Sequence, residues 1–412
     1  MQFCQISKEE YREFVAEHPQ RNFLNRTDAL DAKEAMGWHV EYVGVRRDGK
    51  LEAATNLTWL PVLRIYRYYY AQRGFLLDYA DQELLHIFVS ELKKYLKKRK
   101  GLYLRMDPYV IHKERDIDGL LVAGGLDNSF IVDELKAEGF LHKGFQTGLD
   151  AASQMRWMFS LYVNGRTEEE IYAACNQQAK RSIKRMTKQS IYVRELHAED
   201  LAIFLQILKE TAERRGFTDM VRSEAFYQTF LQTYGEHGKL LLAYMDADEY
   251  LTKLQEEESS LTERLKGKTP PQTEKKRHAL EQTLAANRKK AEEMRRFRDQ
   301  YGPVLNMAAS LFTVYDNEIV YVWGGADNRF RKFDAQYALQ WHMIRYAVKH
   351  GINRYNFYGL SGDFSEEAVD YGVYQFKRGF GGVVEELLGD FILPIRPRIF
   401  KLYDMWKGGS EI

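Results

Sequence analysis

The chain has 412 residues, 45% of them hydrophobic and 29% charged. That is a folded globular profile with room for two or three domains and sizeable cores, and it excludes a disordered chain. Sixty Lys and Arg against 59 Asp and Glu leave a net charge of +1, which excludes a body cationic all over; contact with nucleic acid or anionic lipid must use local patches.

The elements follow in chain order. Ser7 ahead of Glu9 and Glu10 predicts a helix start, with Tyr11, Phe14 and Val15 as its apolar face. Residues 39–45 and 51–59 read as a hairpin turning at Asp48-Gly49. Residues 64–73 are an aromatic-rich third strand. Leu84, Leu85, Ile87, Phe88, Leu92 and Leu96 recur at helical spacing over 83–98. A strand over 101–106 ends at Asp107-Pro108, and 126–140 predict a helix closing with Gly139. A strand over 156–163 precedes Thr167, which opens a helix with capping-box chemistry, expected to run to Lys188. A helix over 200–215, strands over 239–244, 308–315 and 318–323, and a helix over 334–349 complete the series. The order of helices, hairpin, helix and strand occurs twice, which predicts two structurally similar halves.

Residues 246–301 differ in character. Leu251, Leu254, Leu261 and Leu265 lie on a 3-4 seam with Glu258, and after a Gly/Pro break a second seam runs through Leu280, Leu284, Asn287, Ala291 and Met294. This is the pattern of an antiparallel coiled-coil hairpin, one arm acidic and one basic. It serves either as a solvated structural arm or as a docking surface for tRNA or protein.

No GxxxxGK[ST] loop, GxGxxG after a strand, HExxH or GxSxG occurs, so ATP hydrolysis, the usual NAD fingerprint and catalytic zinc are not expected. Cys4 and Cys175, the two cysteines, exclude a disulfide scaffold and a cysteine zinc site. No apolar run approaches the ~20 residues of a membrane span and the first residues lack a signal-peptide core, so a cytoplasmic protein is expected. Lys180, Arg181, Lys184, Arg185 and Lys188 share a broad helix face that suits phosphate or ordinary solvation. The run KKYLKKRK at 93–100 sits at a helix end, where cations favour the dipole. The stretch YGVYQFKRGFGG at 371–382 combines aromatics, cations and glycines: either a ligand contact, with Phe376 stacking and Lys377 meeting a phosphate or oxyanion, or a glycine-rich turn between strands.

An ordered set of stretches resembles the Fem family of non-ribosomal peptidyltransferases (FemABX). These are DALDAKEAMGW at 28–38, YAQRGFLLDY at 70–79, LYLRMDPYV at 102–110, QMRWMFSLYV at 154–163, AKRSIKRMTK at 179–188, ETAERRGF at 210–217, RYNFYGLSGDF at 354–364 and YQFKRGFGGVVEELLGDF at 374–391. Asn25 and Phe75 stand where Gln and Pro are common in the family. The resemblance implies an α+β fold of two GNAT-like mixed-sheet domains with an inserted antiparallel helical arm. The expected division is 1–150 for the first domain, with the tail 392–412 packing on it, 151–245 and 302–391 for the second, and 246–301 for the arm.

It also implies transfer of an amino acid (Gly, Ala or Ser) from aminoacyl-tRNA to an amine on the stem peptide or bridge of a peptidoglycan precursor, lipid-linked or UDP-linked, with no cofactor. Lys377 and Phe376 would contact the tRNA acceptor end, Lys377 stabilising the transition state, and Asp107 would orient or deprotonate the amine. Lys33 and Arg214 would hold precursor phosphates, and Arg73 and Tyr109 would line the substrate site. A related Fem-type chain or a second copy is a candidate partner, and the C-terminal segment is a candidate for transient membrane-surface contact. A CoA-dependent N-acyltransferase and a non-catalytic adaptor carrying the coiled coil are the competing readings.

Overall fold

The computed structural model describes residues 1–149, 153–216, 221–266 and 273–408. Two mixed sheets organise them. The first runs, edge to edge, Gln2–Gln5, His39–Arg47, Lys50–Val62, Tyr66–Ala71, Gly101–Met106, Phe391–Pro394, Leu141–His142. The second runs Ile111–Glu114, Val383–Leu387, Trp157–Tyr162, Arg354–Leu360, Glu318–Ala326, Val304–Val314, Gly238–Asp246, Ile191–Leu196.

Each sheet holds one parallel pair. In the first, Tyr66–Ala71 lies parallel to Gly101–Met106, joined by helix Gln82–Lys98. In the second, Glu318–Ala326 lies parallel to Arg354–Leu360, joined by helix Gln336–His350. A parallel pair needs such a crossover, because a short turn cannot return the chain in the same direction. The sequence provides it: Asp81 accepts from the Leu84 N–H at 2.9 Å and starts the first crossover helix, whose Leu84, Phe88, Val89 and Leu92 are buried against the sheet. Full burial of such a side chain contributes ~1.5–3 kcal/mol. The two halves thus repeat one plan, as the element order predicted.

Between the halves, helix Thr27–Ala35 packs against helix Glu224–Tyr234. Phe23, Ala29 and Ala32 share a core cluster with Phe204, Tyr227 and Phe230. The arm consists of helices Ala247–Lys266 and Glu274–Tyr301; the Gly/Pro break between them lies outside the described residues. Leu254, Leu261, Asn287, Ala291 and Met294 are buried on the seam. The opposite charges do pair across it: Arg288 meets Glu258 at 2.7 Å and Arg298 meets Asp248 at 2.9 Å.

Three expectations change. The helix over 167–188 is two, Glu168–Ala174 and Gln177–Lys188. Asn176 breaks it: its side chain caps the second helix on the Ala179 N–H at 2.8 Å, and its own N–H donates to Gly379 O at 2.9 Å instead of continuing the ladder. The stretch 371–382 is a helix, Tyr371–Arg378, followed by a glycine turn. The division at residue 150 is crossed. Strand Ile111–Glu114 leaves the first half to pair with Val383–Leu387 in the second sheet, and Phe391, counted with the second, opens a strand paired to Met106 in the first. Both crossings give a sheet edge the ladder partner that its N–H and C=O groups need.

Candidate active site at the seam of the sheets

The parallel strands Tyr66–Ala71 and Gly101–Met106 end side by side, which brings Arg73 and Asp107 together. The Arg73 N–H donates to Asp107 Oδ1 at 3.0 Å, and its guanidinium lies 3.3 Å from Oδ2. Both side chains are almost wholly buried. Arg73 adopts φ +52°, which turns the chain so that backbone and side chain face the same carboxylate; Asn25 fixes the turn by donating to Arg73 O at 3.2 Å. Burial raises the Asp107 pKa, opposed by Arg73. Apart from that guanidinium, Oδ2 has no hydrogen-bond donor among the described residues. Beside the pair is a small cavity lined also by Gln154, Met155, Arg156 and Asp390.

Lys33 stands on the same side of the first sheet. Thr58, Tyr70 and Arg105 occupy one row across three strands. The Lys33 amine lies 3.4 Å from Thr58 Oγ1, 4.6 Å from the Tyr70 ring centroid and 4.8 Å from that of Trp38. The residue as a whole is half-buried, but its amine is enclosed by these rings, and burial lowers its pKa to about 7. Asp107 favours the charged form and Arg105 disfavours it, so the cage and the Arg73–Asp107 pair belong to one electrostatic cluster.

Lys377 approaches from the second sheet. It is 3% exposed, and its amine donates to Tyr358 O at 3.1 Å and Gly359 O at 2.5 Å. Burial lowers its pKa to about 7, with Asp370 opposing. Tyr358, at φ +63°, turns its carbonyl to Lys377 while its hydroxyl donates to Gln154 at 3.1 Å. Burial raises the Tyr358 pKa and the Arg73 guanidinium opposes that rise. Lys377, Tyr358, Arg73 and Asp107 are therefore contiguous. Phe376, one position away, is half-buried edge-on against Tyr337, ring centroids 4.9 Å apart.

Tyr109 adjoins the cluster: the Arg73 guanidinium lies over its ring, 5.6 Å from the centroid, while its hydroxyl donates to Glu318 at 2.9 Å, Asn356 donates to the same carboxylate at 2.9 Å, and Arg354 also lies over the ring. The remaining candidates disperse. Arg214 reaches Asn328 and Ala326 O on a different strand end, and its pKa is lowered by burial and by Arg331 and Arg215; it shares no contact with Lys33. On helix Gln177–Lys188, Lys180 donates to Ala173 O at 2.7 Å and Arg185 pairs with Asp334 at 2.6 Å. Arg181, Lys184 and Lys188 remain exposed. Sequence reasoning gave no site role to Tyr358, Tyr70 and Arg105, although each lies in a stretch that resembles the family, and it noted Asn25 only as a departure from the family pattern. A larger open depression of about 390 Å³, among Val163, Arg166, Thr167 and Val348, holds none of the clustered groups.

The FemAB family model matches residues 6–407. The aminoacyltransferase FemA of Staphylococcus aureus (strain MRSA252) is 36% identical over 416 residues, covering 99% of this chain and 98% of the relative. The crystal structure of FemX superposes with a TM-score of 0.79 at 23% identity, over 98% of this chain and 99% of that one. A tandem GNAT protein from the clavulanic acid biosynthesis pathway superposes at 0.50 with 9% identity, over 96% and 99%. The structural likenesses bear out two GNAT-like halves in one chain. The match along almost the whole length, together with the ordered stretches that build the seam, establishes that this chain belongs to the FemAB family.

Proposed function

We propose that the seam cluster is where an aminoacyl ester meets an acceptor amine. The chain is an aminoacyltransferase that adds an amino acid to the peptide of a peptidoglycan precursor; in our reading the donor is aminoacyl-tRNA and the acceptor is lipid-linked. The observation that carries the reading is that Tyr358 of the second half touches Lys377 through its carbonyl and Arg73 of the first half through its side chain.

In the reaction, the amine nitrogen attacks the ester carbonyl, a C–N bond forms and the carbonyl oxygen becomes an oxyanion. The intermediate collapses by breaking the C–O bond to the ribose. The proton lost by nitrogen reaches the departing ribose oxygen. Asp107, with a lone pair free on Oδ2 and a raised pKa, suits orienting the amine and holding that proton. Lys377, shifting from its carbonyl partners, suits the oxyanion, a contribution of ~3–4 kcal/mol. Holding both substrates in line contributes ~7–11 kcal/mol at best. The ester is already activated, so no triphosphate is consumed. Lys33 offers a caged amine whose positive charge an approaching phosphate restores. Phe376 presents a ring edge for the acceptor end. Tyr109 positions the seam through Glu318. Arg214 and the exposed Arg181, Lys184 and Lys188 suit more distant phosphates of tRNA.

The test is reconstitution with a panel of aminoacyl-tRNAs and with lipid-linked and UDP-linked precursors, reading product mass. A product heavier by one amino-acid residue, made without nucleotide triphosphate, is expected. Consumption of acyl-CoA or triphosphate with charged tRNA ignored would overturn the proposal.

A further inference from the structure

The C-terminal helix Pro397–Trp406 has two faces. Phe400 and Tyr403 pack on Tyr103 of the first sheet. On the opposite face, Arg398, Lys401, Leu402, Met405 and Trp406 recur at helical spacing, all exposed. Leu402 is 68% exposed, Met405 66% and Trp406 73%. The turn between strands Lys50–Val62 and Tyr66–Ala71 adjoins this helix, since Val62 and Tyr66 pack in the same cluster as Ile399. It adds Leu63 and Ile65, 45% and 60% exposed, with Arg64 between them.

The basic run at 93–100 borders the same edge. Arg396 donates to Lys97 O at 3.2 Å, and the Arg67 N–H donates to Lys100 O at 3.0 Å. Lys97, Lys98 and Lys100 are exposed. Three segments distant in sequence therefore place five large apolar side chains inside a rim of Arg64, Lys97, Lys98, Lys100, Arg398, Lys401 and Lys407. Among the described residues none of these seven cations is in an ion pair. Dipole compensation accounts for the last turn of helix Gln82–Lys98, not for cations from three segments around an apolar centre.

We propose that this edge docks on an anionic lipid bilayer, with Leu402, Met405 and Trp406 entering the headgroup layer and the surrounding cations meeting lipid phosphates. The charge selects the occupant. A second copy of the edge would oppose cation to cation, whereas an anionic surface is complementary, and Trp and Lys on one exposed helix face are the composition of an interfacial helix. The edge also connects to the seam. A continuous line of rings runs from Trp406 through Tyr403, Tyr103 and Tyr68 to Trp38, which covers Lys33. A diphosphate held at Lys33 would then lie on the side of the molecule that faces the bilayer. This deepens the lipid-linked reading of the acceptor and rests on it for that last point only.

The test uses the full chain with vesicles of phosphatidylcholine alone or mixed with phosphatidylglycerol, read by co-sedimentation. Binding to the mixed vesicles alone is expected, weakening about fivefold for each rim cation neutralised. Arg398→Glu with Lys401→Glu should abolish it, and so should Leu402→Ser with Trp406→Ser, both with an unchanged melting temperature. Absence of wild-type binding, undiminished binding by either variant, or a dimer in sedimentation velocity that Leu402→Ser with Trp406→Ser dissolves would overturn the proposal. Transfer to a soluble UDP-linked acceptor should be unaffected by these variants. If the wild type makes no transfer from charged tRNA yet vesicle binding behaves as stated, the functional reading falls and the docking surface stands.

Discussion

The hairpin of the first half closes at Asp48-Gly49, while the matching hairpin of the second half, Gly238–Asp246 with Val304–Val314, opens into the helical arm. The ladder is maintained on both sides of this insertion: Asp246 still opposes Val304, and the Ala247 N–H donates to Pro303 O at 2.8 Å. A hairpin turn is thus a place where this scaffold accepts a large addition while the ladder, with a bulge at Ala243/Tyr244, still pairs up to the insertion. The strand ends differ as well. In the first half, parallel strands end in the buried Arg73–Asp107 pair; in the second, Glu318–Ala326 ends in Asp327 with the half-exposed Arg329. Repetition of a fold has not repeated the buried ion pair, and the chemistry we propose uses one strand end and the seam.

Breaking the two ion pairs sharpens this contrast most. Asp107→Ala leaves Arg73 buried and unpaired and should cost ~3–5 kcal/mol. Asp327→Ala loses a helix cap and a half-exposed partner and should cost ~0.5–2 kcal/mol. Urea unfolding of both variants reads the difference, and equal losses would remove the distinction drawn between the halves. Lys377→Met removes the charge without burying a new one. It should lower kcat ~100-fold or more, the worth of one oxyanion donor, with little change in KM for the acceptor; near-normal turnover would exclude Lys377 from the chemistry.

A pH profile follows. Lys33 and Lys377 have pKa values lowered to about 7 from 10.5. If their charged forms act, kcat/KM should fall as pH rises through about 7. Lys377→Met should lose its part of that limb. Stability should move the other way. Between about pH 7 and 10.5 the unfolded chain binds more protons at these two positions, so their contribution to folding stability rises with pH across that window. Calorimetric scans across it would detect no contribution from these positions if the amines were exposed, since an unshifted group binds protons equally in both states.

The smallest effect concerns the arm. Tyr250, Leu254, Ala291 and Met294 belong to the main core of the second half, whereas Leu261 does not. Replacing residues 255–290 by a short Gly-rich link should shift stability by only about 1 kcal/mol, while Leu254→Ala should cost ~2–5 kcal/mol. The reverse order would place the arm's stability in its outer part.

Much of this scaffold was legible. Asp48-Gly49, the helical spacing of Leu84 to Leu96 and the paired leucine seams each express a local rule. The break at Asn176 was not, because Ile171, Cys175, Ala179 and Ile183 keep helical spacing through it and the carbonyl that ends the ladder belongs to distant Gly379. The ligand-contact reading of 371–382 did single out Lys377, but its burial depends on the carbonyls of Tyr358 and Gly359, and no side-chain pattern announces a left-handed Tyr358. Strand Ile111–Glu114 is too short for alternation to mark it, and its partner lies far along the chain. Local elements follow from local sequence; the seam is made of long-range contacts.

Helix Thr27–Ala35 carries Lys33 of the first half while burying Ala29 and Ala32 in a cluster built largely by the second. The helix that carries that amine is thus seated on both halves, through Leu30 on the first and through Ala29 and Ala32 on the second. A fragment ending near residue 149 would strip the helix of part of its support and loosen the cage, so neither half can be expected to keep half the function. Any tilt of one body against the other would be felt first at Lys33, which makes that amine a built-in gauge of how the two bodies are seated.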